Sequence, residues 1–228
     1  MPRTARSVES GLIYHVLNRG NGRQRLFRTH ADYDAFLCVL AEAMARFPSI
    51  ELLAFCLMPN HWHLICRPKH DADLAAFMSW LTNTHVKRYR AHYRRTSGHL
   101  YQGRYKSFPV ERDEHLLIVL RYVEANALRA KIVRRAQDWP YSSLVTSTNP
   151  QIADGSLSDW PIERPGDWLA IVNELQPDAI VQRVRTSIVR DRPFGSDRWI
   201  KHTAATMGLA HTLHPQGRPR KRPTAKGK

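Results

Sequence analysis

Hydrophobic and polar positions repeat with two different periods in the first part of the chain. A period of two residues predicts strands at 11–19, 50–58, 61–67 and 104–110, and a period near 3.6 predicts helices at 30–47, 72–93 and 113–132. Turn residues separate these segments, for example Gly20-Asn21-Gly22 and Pro59-Asn60. The predicted order is therefore β-α-β-β-α-β with one further helix.

This order is typical of a ferredoxin-like α+β fold, in which an antiparallel sheet carries helices on one face. We expect one domain over residues 1–145, because the periodic pattern weakens after that point. Residues 146–216 are rich in loop-forming residues and predict a partly helical accessory region, with helices at 167–175 and 178–189. The last segment, 217–228, is basic and contains prolines, which predicts a disordered tail.

Two histidines lie one residue apart in the third predicted strand. Alternate side chains of a strand share a face, so His61 and His63 project together while Trp62 and Leu64 point the other way. Two imidazoles on one face, about 6–7 Å apart, can bind one divalent metal ion. The alternative is a histidine pair that simply lies at a strand surface. In both cases we expect the two rings to face the surface.

The charge of the chain indicates a polyanionic partner. Its 35 Lys and Arg against 20 Asp and Glu give a net charge of +15 in 228 residues, with a pI near 10.3. Such a balance favours nucleic acid as the partner. An anionic membrane surface is the alternative, but no long apolar run or basic amphipathic anchor supports it.

The positive charge is concentrated between residues 74 and 110, where no Asp or Glu occurs. Tyr89, Tyr93, Tyr101 and Tyr105 are interleaved with the basic residues, a combination that can bind the phosphates and unstacked bases of a single strand. A solvated basic helix face is the alternative. The DNA-binding residues predicted in this segment and in the tail are Lys87, Arg88, Arg104, Lys106, Arg218, Arg220, Lys221 and Arg222.

The third predicted helix carries three polar residues on one face. Tyr122, Asn126 and Arg129 have the spacing i, i+4, i+7, which aligns a phenol, an amide oxygen and a guanidinium. A tyrosine can attack phosphorus when a metal ion polarises and positions the phosphate. Asn126 could complete a metal shell with the two histidines, and Arg129 could hold a flanking phosphate. Alternatively, Tyr122 is a half-buried packing residue.

Cysteine usage and the N-terminal residues bear on the compartment. Three cysteines without regular spacing do not form a disulfide framework, and a reducing cytoplasm fits them. Residues 1–10 are polar and contain no apolar signal core. We therefore expect a cytoplasmic protein that associates with the nucleoid through DNA and not with a membrane.

Several motifs, in one order along the chain, resemble a single family. They are YHVLNRG at 14–20, MPNHWHL at 58–64, GHLYQGRYKS at 98–107, RYVEAN at 121–126, DWPYSS at 138–143, RPFGS at 192–196 and GRPR at 217–220. Together they resemble the REP-associated tyrosine transposases, domesticated relatives of the single-strand insertion-sequence transposases. The resemblance covers nearly the whole chain, and Arg19 of the first motif is a further DNA-binding candidate.

The resemblance implies a mechanism and a set of residue roles. His61 and His63 match the pair that binds a divalent metal ion, Mg²⁺ or Mn²⁺. Tyr122 matches the nucleophile, and Asn126 matches the polar residue that completes the metal shell. Such enzymes cut single-stranded DNA beside a hairpin, here expected to be a repeated extragenic palindromic (REP) hairpin, and form a 5′-phosphotyrosine bond. A monomer or a homodimer is expected, and the family's proline after the matched asparagine is here Ala127.

Three functions remain open from the sequence. A metal-dependent single-strand DNA endonuclease and strand transferase is favoured, because all four matched residues are present. A non-catalytic hairpin-binding protein that keeps the transposase fold is the second. A metal hydrolase that uses activated water is the third, and it would need more carboxylate ligands than the nearest acids, Asp71 and Asp73, offer.

Overall fold

The computed structural model describes residues 8–94, 96–148 and 157–214. The strands in these ranges are Ile13–Arg19 (β1), Ile50–Met58 (β2), His61–Pro68 (β3) and Lys106–Val110 (β4). The α-helices are His30–Arg46 (α1), Asp73–His92 (α2), Glu114–Glu124 (α3), Asn126–Arg129 (α4), Trp168–Asn173 (α5), Asp178–Arg190 (α6) and Asp197–Thr206 (α7). The predicted strands and the first two helices are confirmed to within two residues at each end.

The four strands form one antiparallel sheet with the order β2-β3-β1-β4. This arrangement confirms the predicted ferredoxin-like α+β fold. The central strands are paired from Tyr14 opposite Cys66 to Arg19 opposite His61. Because the pairing is antiparallel, the end of β1 lies beside the start of β3, where the two histidines are found.

Both faces of the sheet are covered, whereas the sequence predicts helices on one face. α1 and α2 pack on the first face, in a core that includes Phe36, Trp62 and Leu64. α3, α5 and α6 close a second core on the other face, which includes Ile65 and Phe108. The additional helices after β4 account for this difference. They also explain why β2 and β3 are buried along almost their whole length, since a strand covered on both sides buries successive side chains.

The helix that carries Tyr122 is shorter than predicted. It ends at Glu124 and is followed by the separate four-residue helix α4, so the continuous helix predicted to residue 132 is wrong. Ala125, between the two, has a ψ of 4°, far from the helical value. The buried carboxylate of Glu124 accepts hydrogen bonds from Ser143 Oγ and Trp168 Nε1, both at 2.7 Å. These tertiary contacts fix the end of α3, and local helix propensity does not reveal them.

The C-terminal part of the described chain packs on the same sheet. The sequence predicts α5 and α6, but not α7. Trp168, Val172, Val181 and Val184 are buried in the second core, so α5 and α6 share it with α3. The predicted basic tail, 217–228, lies outside the described residues. No helix in the described ranges is both long and apolar enough to cross a bilayer.

Trp62 anchors β3, the strand that carries the two histidines, in the first core. It is fully buried, its ring centroid lies 5.8 Å from that of Phe36, and its Nε1 donates to Tyr101 Oη at 3.1 Å. Replacing Trp62 by Ala should lower the free energy of unfolding by about 3–5 kcal/mol, because a large cavity remains. Denaturant unfolding followed by circular dichroism measures this loss. Leu175→Ala is the control because Leu175 is 79% exposed, and equal losses in both variants would contradict the prediction.

Candidate active site

The register of β1 and β3 brings the predicted histidines beside a basic residue. Arg19 lies opposite His61 in the paired strands. The two imidazole centroids are 5.0 Å apart, with an angle of 80° between the rings. They share one face of β3 while Trp62 is buried on the other, as predicted. His63 is only 3% exposed because α3 covers this face, so the expectation that both rings face the surface is wrong.

Each histidine of the pair is held through Nδ1. His61 Nδ1 lies 2.6 Å from Asn60 Oδ1, and His63 Nδ1 lies 2.8 Å from His15 Nε2. A proton on Nδ1 of both rings satisfies these contacts and leaves both Nε2 atoms as lone-pair donors, the form that binds a metal ion. His15 is not among the residues that the sequence singles out, although the alternation of β1 puts it on the face of Arg19.

The histidines of this site are neutral at physiological pH. Burial is the main cause, and it lowers the pKa of His61 from 6.5 to about 3, with smaller contributions from the charges of Arg19 and Arg129. Burial likewise lowers the pKa of His63 well below 6.5, and that of His15 to about 3. Neutral imidazoles are the form that coordinates metal ions. The surroundings therefore suit the pair to be ligands.

α3 and α4 bring the three polar residues of the predicted helix to the histidines. Tyr122 is 6% exposed, and its ring centroid lies 6.0 Å from that of His63. Arg129 donates from Nη2 to the Tyr122 carbonyl and to Asn126 Oδ1, both at 2.9 Å. The Arg129 guanidinium also lies 3.9 Å from the centroid of the Tyr122 ring, a cation–π contact. The break after α3 thus leaves these three residues in mutual contact.

These side chains line one cavity of about 420 Å³, called here the catalytic cavity. Its strongly basic lining residues are Arg19, Lys106, Arg129 and Arg185. No Asp or Glu is found among the described residues that line it. Lys106 Nζ lies 4.0 Å from Asp191 Oδ1, whereas no ion pair of the other three is found among the described residues. This excess of positive charge favours an anionic ligand such as a DNA phosphate. No motif or spacing in the sequence singles out Arg185, which reaches the cavity from α6.

The other predicted DNA-binding residues lie elsewhere. Arg104 lines the cavity next to the catalytic one and a further cavity against α2. Lys87 and Arg88 lie on α2, across the sheet from Tyr122. Arg88 is already bonded to both carboxylate oxygens of Glu42, at 2.8 and 2.7 Å. The predicted tail residues lie outside the described residues: Arg218, Arg220, Lys221 and Arg222.

Most of the interleaved tyrosines support the fold. Tyr89 and Tyr101 are 5% and 8% exposed, so their rings are not open to bases. Tyr93 Oη donates to the carboxylate of Asp32. Tyr105 is partly buried and lines a cavity beside Arg104. The aromatic stacking surface predicted from the sequence is therefore reduced to this one neighbourhood within the described chain.

The donors of the catalytic cavity fit a divalent metal ion. Both imidazoles of the pair are neutral and have Nε2 available. Asn126 lines the same cavity, and its Oδ1 retains a second lone pair after the bond from Arg129. Among the described residues, Asn126 Nδ2 is buried without a hydrogen-bond partner. An N–H donor is satisfied by an acceptor such as a phosphate oxygen, so this atom indicates an anionic ligand and not the metal ion.

A second group of metal-type ligands lies between β4 and α3. One ligand atom from each of Glu111, Asp113 and His115 lies within 4.8 Å of the others. Glu111 accepts from Ser196 N, and Asp113 caps α3 by accepting from His115 N. These hydrogen bonds explain the positions of the two carboxylates, and no metal ion is needed to explain them. None of the three residues lines the catalytic cavity.

Comparison with known proteins assigns a family. The family model described as IS200-like transposase matches residues 8–126, a span that contains all four strands, both histidines of the pair and Tyr122. The chain belongs to the IS200-like transposase family. This confirms the transposase class that the motifs predict. The match ends at Asn126, so Arg129 and the C-terminal helices lie beyond it.

Two individual proteins resemble this IS200-like transposase. A Haemophilus influenzae protein that bears the name of a REP-associated tyrosine transposase is 27% identical over 112 residues, which are 45% of this chain and 63% of that protein. The match thus spans less than two thirds of the relative. A solved structure of a REP-associated tyrosine transposase bound to a REP hairpin has the same fold, with a TM-score of 0.52, 18% identity, and coverage of 72% of this chain and 98% of the other.

The buried histidines predict an unusual titration. His61 should stay neutral from pH 8 to well below pH 5, because its pKa is about 3 in the folded protein. The unfolded chain binds this proton near 6.5, so between about 3 and 6.5 it binds more protons than the folded state. The free energy of unfolding should therefore fall as the pH is lowered through this window. NMR titration of the His61 ring tests this, with the denatured protein as control, and a folded midpoint near 6.5 would contradict it.

Proposed function

We propose that this IS200-like transposase cleaves and rejoins single-stranded DNA beside a REP hairpin, with Tyr122 as the nucleophile. The observation that carries the proposal is the acid-free cavity that Tyr122 shares with His61, His63 and four cationic side chains. The Tyr122 phenolic oxygen forms a bond to phosphorus, the bond to the 3′ oxygen breaks, and that oxygen takes up a proton. The product is a 5′-phosphotyrosine with a free 3′-hydroxyl, whose attack on phosphorus reverses the step.

In this proposal, His61, His63 and Asn126 hold Mg²⁺ or Mn²⁺. When bound, the ion would supply a Lewis acid that polarises a non-bridging phosphate oxygen. His15 and Asn60 orient the imidazoles through their Nδ1 atoms, which directs both Nε2 atoms away from these partners. Burial keeps the rings neutral and excludes water that would compete for the phosphate.

The proposed DNA contacts begin at the catalytic cavity. Arg19, Lys106 and Arg129 neutralise phosphates near Tyr122, and Arg104 extends this basic surface towards the neighbouring cavities. The basic tail adds phosphate contacts that do not depend on sequence. The hairpin substrate is supported by the name of the Haemophilus influenzae relative and by the REP hairpin in the solved transposase structure.

One observation favours a second candidate, a hairpin-binding protein without catalysis. Arg129 donates to Asn126 Oδ1, the proposed metal-ligand atom, and this arrangement is complete without an ion. A metal hydrolase has less support. Asp71 accepts from Ser10 N, Asp73 accepts from His70 N, and neither carboxylate lines the catalytic cavity.

Replacing Tyr122 by Phe should abolish both strand cleavage and the covalent protein–DNA adduct. The substitution removes one oxygen and keeps the ring, so the cation–π contact with Arg129 and the fold should remain. The assay is incubation with single-stranded DNA that carries a REP hairpin, in Mg²⁺ or Mn²⁺, followed by denaturing gels for the cut strand and the adduct. Hairpin affinity, measured separately, should change less than about threefold, since phosphate contacts dominate binding.

Tyr105→Phe is the matched control, because Tyr105 is a partly buried tyrosine that lines a separate cavity together with Arg104. It should retain both products. Cleavage without an adduct in Tyr122→Phe would indicate water as the nucleophile. An adduct that persists in that variant would assign the nucleophile to another tyrosine. Absence of both products from the unmodified protein, with tight hairpin binding, would favour the non-catalytic candidate.

Replacing His61 by Ala should remove binding of Mn²⁺ and metal-dependent cleavage together. His61 is the more exposed member of the pair, so this variant should fold more readily than one at His63. Calorimetry with Mn²⁺ alone measures the metal, and the gel assay measures cleavage. His202→Ala, an exposed histidine on α7, is the control and should leave both unchanged. Cleavage by His61→Ala in the presence of a chelator would contradict the metal assignment.

A further inference from the structure

The catalytic cavity includes a helix that lies outside the family match. The match ends at residue 126, yet Arg185, Ile188 and Val189 of α6 line the cavity beside Tyr122. The cavity is therefore completed by chain that follows the catalytic helix by more than fifty residues, since α6 begins at residue 178.

Two sets of contacts fix α6 in this position. Val181 and Val184 are buried in the second core, at 4% and 0% exposure. At the other end of the helix, Lys106 Nζ donates to the Val189 carbonyl at 2.7 Å, which ties α6 to β4. Arg185 lies between these two anchor points, so its backbone is held at the wall of the cavity.

The surroundings of Arg185 leave its charge uncompensated. Among the described residues, Arg185 forms no ion pair and no hydrogen bond. It also lines a smaller cavity with Glu174 and Asp178, but neither carboxylate forms an ion pair with it, and the Glu174 carboxylate is 3.6 Å from Arg121. Arg129 also lines both of these cavities, so the two guanidinium groups lie near each other. Two guanidinium groups that repel each other are stabilised when an anion binds between them.

We propose that Arg185 binds the DNA phosphate next to the one that Tyr122 attacks, so that α6 supplies part of the substrate site. This inference rests on the proposed function, because it takes a single-stranded DNA backbone as the ligand of the cavity. Arg129 stacks on the Tyr122 ring and would bind the phosphate that Tyr122 attacks. Arg185 lines the same acid-free cavity from α6, and the phosphate next to the attacked one would lie against it there. A guanidinium suits this role because it binds phosphate oxygens in pairs.

The test compares Arg185→Ala, Arg185→Lys and the matched control Arg183→Ala. Arg183 lies on the same helix, but its guanidinium packs over the Phe194 ring at 5.3 Å and does not line the catalytic cavity. Hairpin binding is measured at several salt concentrations, and adduct formation is measured in a single turnover with saturating protein. Arg185→Ala should reduce the log–log salt slope by about 0.7 of a unit, the value for one single-strand phosphate contact. Its adduct should form about tenfold more slowly, as for loss of a charged hydrogen bond.

Arg185→Lys should keep the salt slope of the unmodified protein, since it keeps the charge, and Arg183→Ala should keep both slope and rate. The proposal is overturned if Arg185→Ala and Arg183→Ala behave alike, or if Arg185→Lys shows the reduced slope of the Ala variant. A structural role alone would lower the melting temperature without changing the slope, and that outcome also overturns it. Absence of any adduct from the unmodified protein would refute the proposed function instead, while the salt slopes still decide the role of Arg185.

Discussion

The burial of Trp62 on one face of β3 fixes the two histidines on the other. Strand side chains alternate, so a slip of one residue would exchange the tryptophan and the imidazoles between core and site. The aromatic contacts of Trp62 under α1 and α2 therefore determine the face on which His61 and His63 lie. The hydrogen bond between His15 and His63 then orients a ring that the register has already placed. The placement of the histidine pair thus depends first on packing across the sheet and only then on the polar contacts of the two rings.

Covering the second face with α3 changes the chemistry of the same residues. An exposed histidine pair would titrate near neutral pH, whereas burial holds these rings neutral. Burial also places Tyr122 and Arg129 where solvent screens charge weakly, which strengthens any interaction with a phosphate. The same burial makes the cluster of cations unfavourable until an anion arrives. Affinity for a polyanion and reduced stability of the unliganded site thus have one physical origin.

The sequence predicts the four strands, their order along the chain and the shared face of the histidine pair well, because these depend on residue alternation and on turn residues close in the chain. It also predicts that Tyr122 and Arg129 lie on one side of their helix, and the two residues are close together although the helix is interrupted between them. It does not reveal His15, which becomes part of the site only through strand pairing 48 residues apart. Arg185 is missed because it reaches the cavity only through the packing of α6, far from Tyr122 in the sequence. The tyrosines of the basic segment are misjudged because aromatic residues serve cores and surfaces alike, and burial is a tertiary property.

The interruption after α3 also explains why Ala127 can stand where the motif resemblance implies proline. Asn126 is the first residue of α4, so position 127 lies in the first turn, where a backbone N–H has no partner within the helix. Proline fits such a turn because it has no N–H to satisfy. Alanine fits the same turn, since it is a good helix former and its small side chain is buried in the second core. The orientation of the Asn126 side chain is then determined by the backbone at Ala125 and by the hydrogen bond from Arg129. Neither depends on which residue follows Asn126.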